Sequence, residues 1–194
     1  MVGSRAAGDD KVQSHHATIF LAPSLAEPIE AIRRAWDPFM AAQIAAHVTL
    51  VYPEEAPCLA HLVACVRTAS SCIAPFRLRL GGVAHFGRPE DGVYIAVEDV
   101  DGGYRDAREA ILRPPCTPLV FSPHVTLVHP RTASRGRACW EQVRSQGIQL
   151  EFTAEEVAIA DRRHPKPQCA ELYKRQTIGY GRLAPYGPGT PSCS

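Results

Sequence analysis

His47-Val48-Thr49-Leu50-Val51-Tyr52-Pro53 and His124-Val125-Thr126-Leu127-Val128-His129-Pro130 agree at six of seven positions and lie 77 residues apart. Both stretches have the period of a β-strand, in which residues i and i+2 share a face. His47 and Thr49 therefore point one way, and Val48 and Leu50 the other. His124 and Thr126 divide from Val125 and Leu127 in the same manner. Each strand carries an imidazole beside a hydroxyl on one face and aliphatic packing on the other. The alternative is a structural duplication that does no chemistry. The period is too long for a solenoid and there are only two copies, so two related lobes fit better than an array.

Working outward, Ala17 to Leu21 reads as an opening strand. Ser24 and Glu27 form a candidate capping box for a helix with the stripe Ile29, Ile32 and Trp36, ended by Asp37-Pro38. Pro57 suits the first turn of a helix with Leu59, Leu62, Val63 and Val66. Phe76, Leu78 and Leu80 alternate with Arg77 and Arg79, giving a strand with one apolar and one cationic face. A turn at Arg88 to Gly92 separates it from a strand at Val93 to Val97. A helix with Tyr104, Ala107 and Ile111 ends before Pro114-Pro115. After the second motif, Thr132 is placed to cap a helix running to Gly147. Ile148, Leu150 and Phe152 alternate as a strand, and Val157 to Ala160 and Ala170 to Ile178 read as hairpin arms around His164 to Pro167. Residues 1–14 read as a disordered leader, 15–184 as one bilobal domain, and 185–194 as a flexible tail. The element pattern is α+β.

Length and composition exclude several classes of function. The 194 residues suffice for a sizeable core, and 45% apolar with 21% charged residues describes an ordinary globule. A net charge of +1 argues against gripping extended duplexes by phosphate neutralisation, and leaves room for a short substrate. No apolar run reaches membrane-helix length, and Met1 to Ser14 lacks the hydrophobic core of a signal peptide. Seven cysteines form an odd count with no CxxC. Cys58, Cys65 and Cys72 read as small core residues, and the protein as reduced and cytoplasmic. His15, His16, His61, His85 and His164 read as surface or satisfied residues. A metal is not expected: His124 and His129 stand on opposite strand faces, and zinc ligands gather at short spacings. No cofactor is called for.

The two His-x-Thr strands, the strands Ala17–Leu21 and Phe76–Leu80, and the Phe121-Ser122-Pro123 lead-in together resemble the 2H phosphoesterases, in their 2′-5′ RNA ligase-like or cyclic phosphodiesterase branch. The resemblance covers about residues 16 to 180. It implies a bilobal pseudo-twofold fold, with two antiparallel sheets, helices outside, and a central cleft carrying both motifs. It also implies phosphodiester chemistry on 2′,3′-cyclic phosphates or 2′-5′ linkages of nucleotides or short RNA ends, with His124 as base and His47 as acid. Two imidazoles across a cleft supply base and acid near neutrality, and Thr49 and Thr126 can hold the non-bridging oxygens. Arg77 and Arg79 are candidates for phosphate or ribose contact, against a solvated strand face. Phe20, Phe86 and Tyr94 are candidates for base stacking, against burial in the core. Tyr52 and His129 are expected off the cleft face. Ligation of RNA ends and non-catalytic nucleotide binding remain as alternatives, and the oligomeric state is open.

Overall fold

The computed structural model of the protein describes residues 15–161 and 176–179. The expected leader, the tail, His164 and the hairpin tip lie outside the described residues. Strand β1 (His15–Phe20) leads through helix α1 (Pro23–Trp36) and a short α2 (Pro38–Gln43) to β2 (His47–Val51). Helix α3 (Leu59–Cys72), β3 (Phe76–His85), β4 (Val93–Asp99) and α4 (Gly103–Ile111) follow. The chain continues through β5 (His124–Val128), α5 (Gly136–Val143), β6 (Leu150–Ala154), β7 (Glu156–Asp161) and β8 (Gln176–Gly179).

Local chemistry accounts for these boundaries. Helix α1 starts at Pro23, whose missing N–H costs nothing in a first turn, and buries Ala26, Ile29 and Arg33. The expected Ser24–Glu27 box does not form, because α1 begins at Pro23 with Ala22 as its cap and so takes Ser24 into its first turn; Glu27 pairs with Arg34 at 2.6 Å. Asp37 ends α1 and caps α2, its Oδ1 accepting from the Met40 N–H at 3.1 Å. The last helix is shorter than its pattern suggested, since the Thr132 hydroxyl donates to Asp37 at 2.5 Å instead of capping. The three evenly spaced cysteines are not core residues: α3 buries Leu62, Val66, Ala69 and Ser70, leaving Cys58 and Cys72 exposed and Cys65 at the margin.

The described residues form two four-stranded antiparallel sheets, in the orders β2-β1-β7-β8 and β5-β4-β3-β6. Each motif strand is an edge strand. The central strands are exchanged: β3, from the first half of the chain, pairs with β4, while β7, from the second half, pairs with β1. The repeat extends to the register. Along β1, Phe20, Ile19, Thr18 and Ala17 oppose His47, Val48, Thr49 and Val51. Along β4, Ala96, Ile95, Tyr94 and Val93 oppose His124, Val125, Thr126 and Val128. Both ladders skip the buried leucine after the threonine, Leu50 in one and Leu127 in the other. A bulge of this kind bends the strand just past its polar pair.

One apolar cluster runs through both sheets, from Ala17 and Val48 to Val125 and Ile159. Phe76, Leu78 and Leu80 are buried, as their alternation implied. Glycine is required at position 92, where φ is +116° and a Cβ would stand 2.7 Å from the Val128 carbonyl. The turn between β3 and β4 can therefore close directly on the end of β5.

Candidate active site

The edge strands β2 and β5 approach each other within 8 Å, Cα to Cα, so the two motifs meet although their sheets are separate. His47, Thr49, His124 and Thr126 are all partly exposed. The His47 Nδ1 lies 2.7 Å from the Ala45 carbonyl, and the His124 Nδ1 lies 2.8 Å from the Ser122 carbonyl. A carbonyl only accepts, so in both rings Nδ1 carries the proton and Nε2 is left for chemistry. His129 has the opposite tautomer, its Nδ1 accepting from the Arg131 N–H at 3.1 Å.

Both motif histidines are harder to protonate than a free imidazole. Burial, and then the neighbouring His16, push His47 down to about 3, while the bond to Ala45 acts the other way. Burial also lowers His124, against its bond to Ser122. The charge of His124 weighs on His47, as expected for two rings sharing one site.

Each imidazole sits among rings. His47 has His16 at 6.0 Å and Phe20 at 5.8 Å between centroids. His124 has Phe86 at 5.2 Å and Tyr94 at 5.1 Å, and those two rings are 4.6 Å apart. The structure thus brings Phe20, Phe86 and Tyr94 to the motifs. Of the two readings of His16, surface or satisfied, the structure excludes the first, since His16 is 7% exposed and lies beside His47.

Arg77 and Arg79 share the polar face of the second sheet but lie two strands away from β5. Arg77 pairs with Asp101 and Glu151, and Arg79 with Glu98 and Glu151, all at 2.9–3.4 Å. Tyr52 packs on Phe121 at 4.5 Å between ring centroids, but its hydroxyl also bonds to the Thr49 side chain, so against expectation it stays beside the first motif.

Buried polar groups that the sequence pattern did not mark hold the motif strands from behind. The Tyr104 hydroxyl donates to the Thr49 carbonyl at 2.8 Å, and burial pushes that hydroxyl up to about 12. It therefore remains a donor across the working range. Asp37, 3% exposed, accepts at Oδ2 from the His129 N–H at 2.9 Å and from Thr132, tying the end of β5 to the α1–α2 junction. Arg33 with Glu30, and Arg108 with Glu55, grip the backbone leading into each motif.

Two cavities, of about 970 and 840 Å³, flank the motifs, and neither is lined by a motif histidine or threonine. The first lies between α1, α2 and the β6–β7 turn, the second between α4 and residues 118–123. Among the described residues no group of three or more His, Cys, Asp or Glu side chains is placed to hold a metal ion, and no helix is long and apolar enough to cross a membrane.

A comparison with curated proteins found no match. Among solved structures, TT0787 of Thermus thermophilus is 21% identical with a TM-score of 0.56, over 86% of this chain and 97% of that one. A phosphoesterase is 16% identical with a TM-score of 0.61, over 89% and 100% of the two chains. E. coli LigT complexed with 3′-AMP is 16% identical with a TM-score of 0.61, over 88% and 99%. At these identities the likeness is one of fold. A family model described as the 2′-5′ RNA ligase superfamily matches residues 21–166, a span that includes both motif strands. The chain therefore belongs to the 2′-5′ RNA ligase superfamily of 2H phosphoesterases.

Proposed function

We propose that this protein is a metal-independent phosphodiesterase that hydrolyses 2′,3′-cyclic phosphate or 2′-5′ phosphodiester bonds of nucleotides or RNA ends. The observation that carries the proposal is the matched pair of imidazoles, each with Nδ1 committed to a carbonyl and Nε2 available. Support for a nucleotide substrate comes from the similar E. coli LigT, solved with 3′-AMP, NADP+ and ATP. The net charge of +1 favours short substrates over extended duplexes. The odd cysteine count with no CxxC favours action in the reducing cytoplasm.

In the cycle proposed, a neutral Nε2 takes a proton from water as the water oxygen bonds to phosphorus. The other imidazole, protonated, gives its Nε2 proton to the departing ribose oxygen as that P–O bond breaks. The Thr49 and Thr126 hydroxyls donate to the non-bridging oxygens and hold the centre in line. Phe20 and Tyr94 supply stacking surface for bases, and Arg77 and Arg79 form an outer cationic edge that a longer substrate reaches. The family resemblance makes His47 the acid and His124 the base. In the free protein His47 is pushed down to about 3, so this assignment requires the phosphodiester anion to restore its affinity for a proton. Run in reverse, the same steps join RNA ends.

The test is a screen of 2′,3′-cyclic mononucleotides, 2′-5′ dinucleotides and cyclic-phosphate-ended RNA, with chelator present. Turnover of any of them is the expected result. Binding without turnover would make the protein a nucleotide-binding module. Activity abolished by chelator and restored by zinc or manganese would overturn the mechanism.

A further inference from the structure

Two buried arginine–glutamate pairs lie outside the motifs, and both end on the backbone that leads into a motif histidine. Arg33, on α1, is 3% exposed. Its Nη1 donates to both Glu30 oxygens at 2.8 and 2.9 Å, and its Nη2 donates to the carbonyls of Ile44 at 2.7 Å and Met40 at 3.3 Å. Glu30 in turn accepts from the Ala46 N–H. The pair thus grips the residues on either side of Ala45, whose carbonyl receives the His47 Nδ1 proton.

Arg108, on α4, meets Glu55 at 2.5 and 3.2 Å, the Leu119 carbonyl at 2.9 Å and the Leu50 carbonyl at 2.6 Å. Glu55 is 1% exposed, and its carboxylate accepts from the Leu119 and Tyr52 N–H groups, both at 2.7 Å. Leu119 opens the run that ends at Ser122, whose carbonyl receives the His124 Nδ1 proton.

A buried ion pair is a poor source of stability, because desolvation of two charges offsets their attraction. What these pairs supply is partners for backbone groups, those of Ile44 and Leu119 in chain outside helix and strand and those of Met40 and Leu50 in α2 and β2. Each forked guanidinium satisfies two carbonyls while its carboxylate satisfies N–H groups alongside. The arginines stand at equivalent places, on the helix that follows β1 and on the helix that follows β4, whereas Glu30 lies on α1 itself and Glu55 in the turn after β2.

We propose that Arg33–Glu30 and Arg108–Glu55 are positioning pairs that hold the loop before each motif histidine, so that the carbonyl two residues upstream keeps the proton on Nδ1 and leaves Nε2 reactive. Arg33–Glu30 acts on His47 alone. Arg108–Glu55 also touches Leu50 and Tyr52, so it holds both motifs at once. The catalytic consequence rests on the function proposed above, whereas the tautomer can be read without any substrate.

The experiment is imidazole 15N spectroscopy on the full chain near pH ~8, where ordinary histidines are neutral. The variants are Arg33→Met, Arg33→Lys, Glu30→Gln, Arg108→Met and Glu55→Gln, each checked for a backbone spectrum that is unchanged outside the segments the pairs touch. In the unaltered protein both motif rings should show the Nδ1-protonated form. Arg33→Met and Glu30→Gln should turn His47 into a mixture of tautomers while His124 is unchanged. Arg108→Met and Glu55→Gln should do so for His124. With a substrate in hand, kcat should fall by roughly 10- to 100-fold at nearly constant KM, as for other losses of orienting contacts. The milder Arg33→Lys and the isosteric Gln variants serve if the Met variants fail to fold. Folded variants in which both rings keep the Nδ1-protonated form would overturn the proposal, as would an Nε2-protonated form in the unaltered protein. Tautomers that respond as expected in a protein that turns over no phosphodiester would sustain the positioning pairs and sink the proposed reaction.

Discussion

Strands β1 and β4 stand in the same relation to their motif strands, yet they present different side chains there. Opposite the motif histidine, β1 places Phe20 where β4 places Ala96. Opposite the motif threonine, β1 places Thr18 where β4 places Tyr94. Thr18 is spent internally, its buried hydroxyl donating to the Val48 carbonyl at 3.0 Å. The backbone repeats by a twofold and the walls of the site do not. A phosphorus atom between two matched imidazoles cannot distinguish its entering group from its leaving group. Unlike walls can, because they decide which way round a nucleotide lies. In the reaction proposed above, the difference at two positions on β1 and β4 is where direction would enter.

The severest way to break that comparison is to remove one imidazole at a time. His47→Ala and His124→Ala should each lower turnover by about 10²- to 10⁴-fold on a 2′,3′-cyclic phosphate, the range for loss of general acid–base catalysis. A nitrophenyl phosphodiester sharpens the result, because its leaving group needs no proton. On that substrate His47→Ala should recover most of its rate and lose one limb of the bell-shaped pH profile, while His124→Ala stays slow. Equal loss in both variants on the activated ester would mean that the rings do not divide as acid and base.

Removing a hydroxyl should cost less. Thr49→Val and Thr126→Val should each lower kcat/KM by about 1–3 kcal/mol, the worth of a hydrogen bond to a charged group. If the walls set direction, the two losses will differ from each other on a cyclic substrate. Identical losses would argue that the site treats both sides alike.

Proton linkage gives a smaller, substrate-free contrast between the lobes. His47 is pushed down to about 3, so below the ordinary histidine value of about 6.5 the unfolded chain binds a proton that the folded chain refuses. Stability is full above that value and falls as pH drops from it toward the folded value. His47→Gln should flatten the acid side of a stability–pH curve measured by denaturant unfolding. His16→Phe should raise the titration midpoint of His47, since the second cause of its depression is removed. A midpoint that stayed put would leave the shift to burial and to the charges of Arg33 and His124.

The weakest effect is expected at the edge of the second sheet. Arg77 and Arg79 already face Asp101, Glu98 and Glu151. Arg77→Ala and Arg79→Ala should alter kcat/KM by about threefold or less on a dinucleotide, as befits exposed, paired charges, and leave mononucleotides unaffected. A tenfold loss on mononucleotides would place these side chains in contact with the reacting nucleotide.

Which parts of this could be read from the chain follows from how far each interaction reaches. The motif strands, β3 and the buried stripe of α3 follow a period of two or of three to four residues, and short-range alternation reveals them. Helix α2 spans six residues, too few for a period, and rests on Pro38 and an Asp37 cap. Arg33 did leave a local trace, for it continues the stripe of Ala26 and Ile29 on which a charge is out of place. His16 left one too, standing two and four residues before Thr18 and Phe20 on the same strand face. Glu55 left none. It follows Pro53-Glu54 in what reads as a solvated turn, and its cation is 53 residues further on. Pattern reading sees which face a residue takes, whereas a buried charge is explained by a partner that only the fold brings near.

The exchange of β3 and β7 between sheets constrains how the protein can be divided. A chain cut at the turn between β3 and β4 leaves β1 and β2 without β7, and β3 without β4 or β6. Neither fragment contains a finished sheet, and each carries one motif. Mixed together, the fragments hold all the strands needed to interleave again, with every exchanged strand supplied by the opposite piece. The topology is that of a strand-swapped dimer written along a single polypeptide, in which each half can carry its own side chains around a shared pair of motifs.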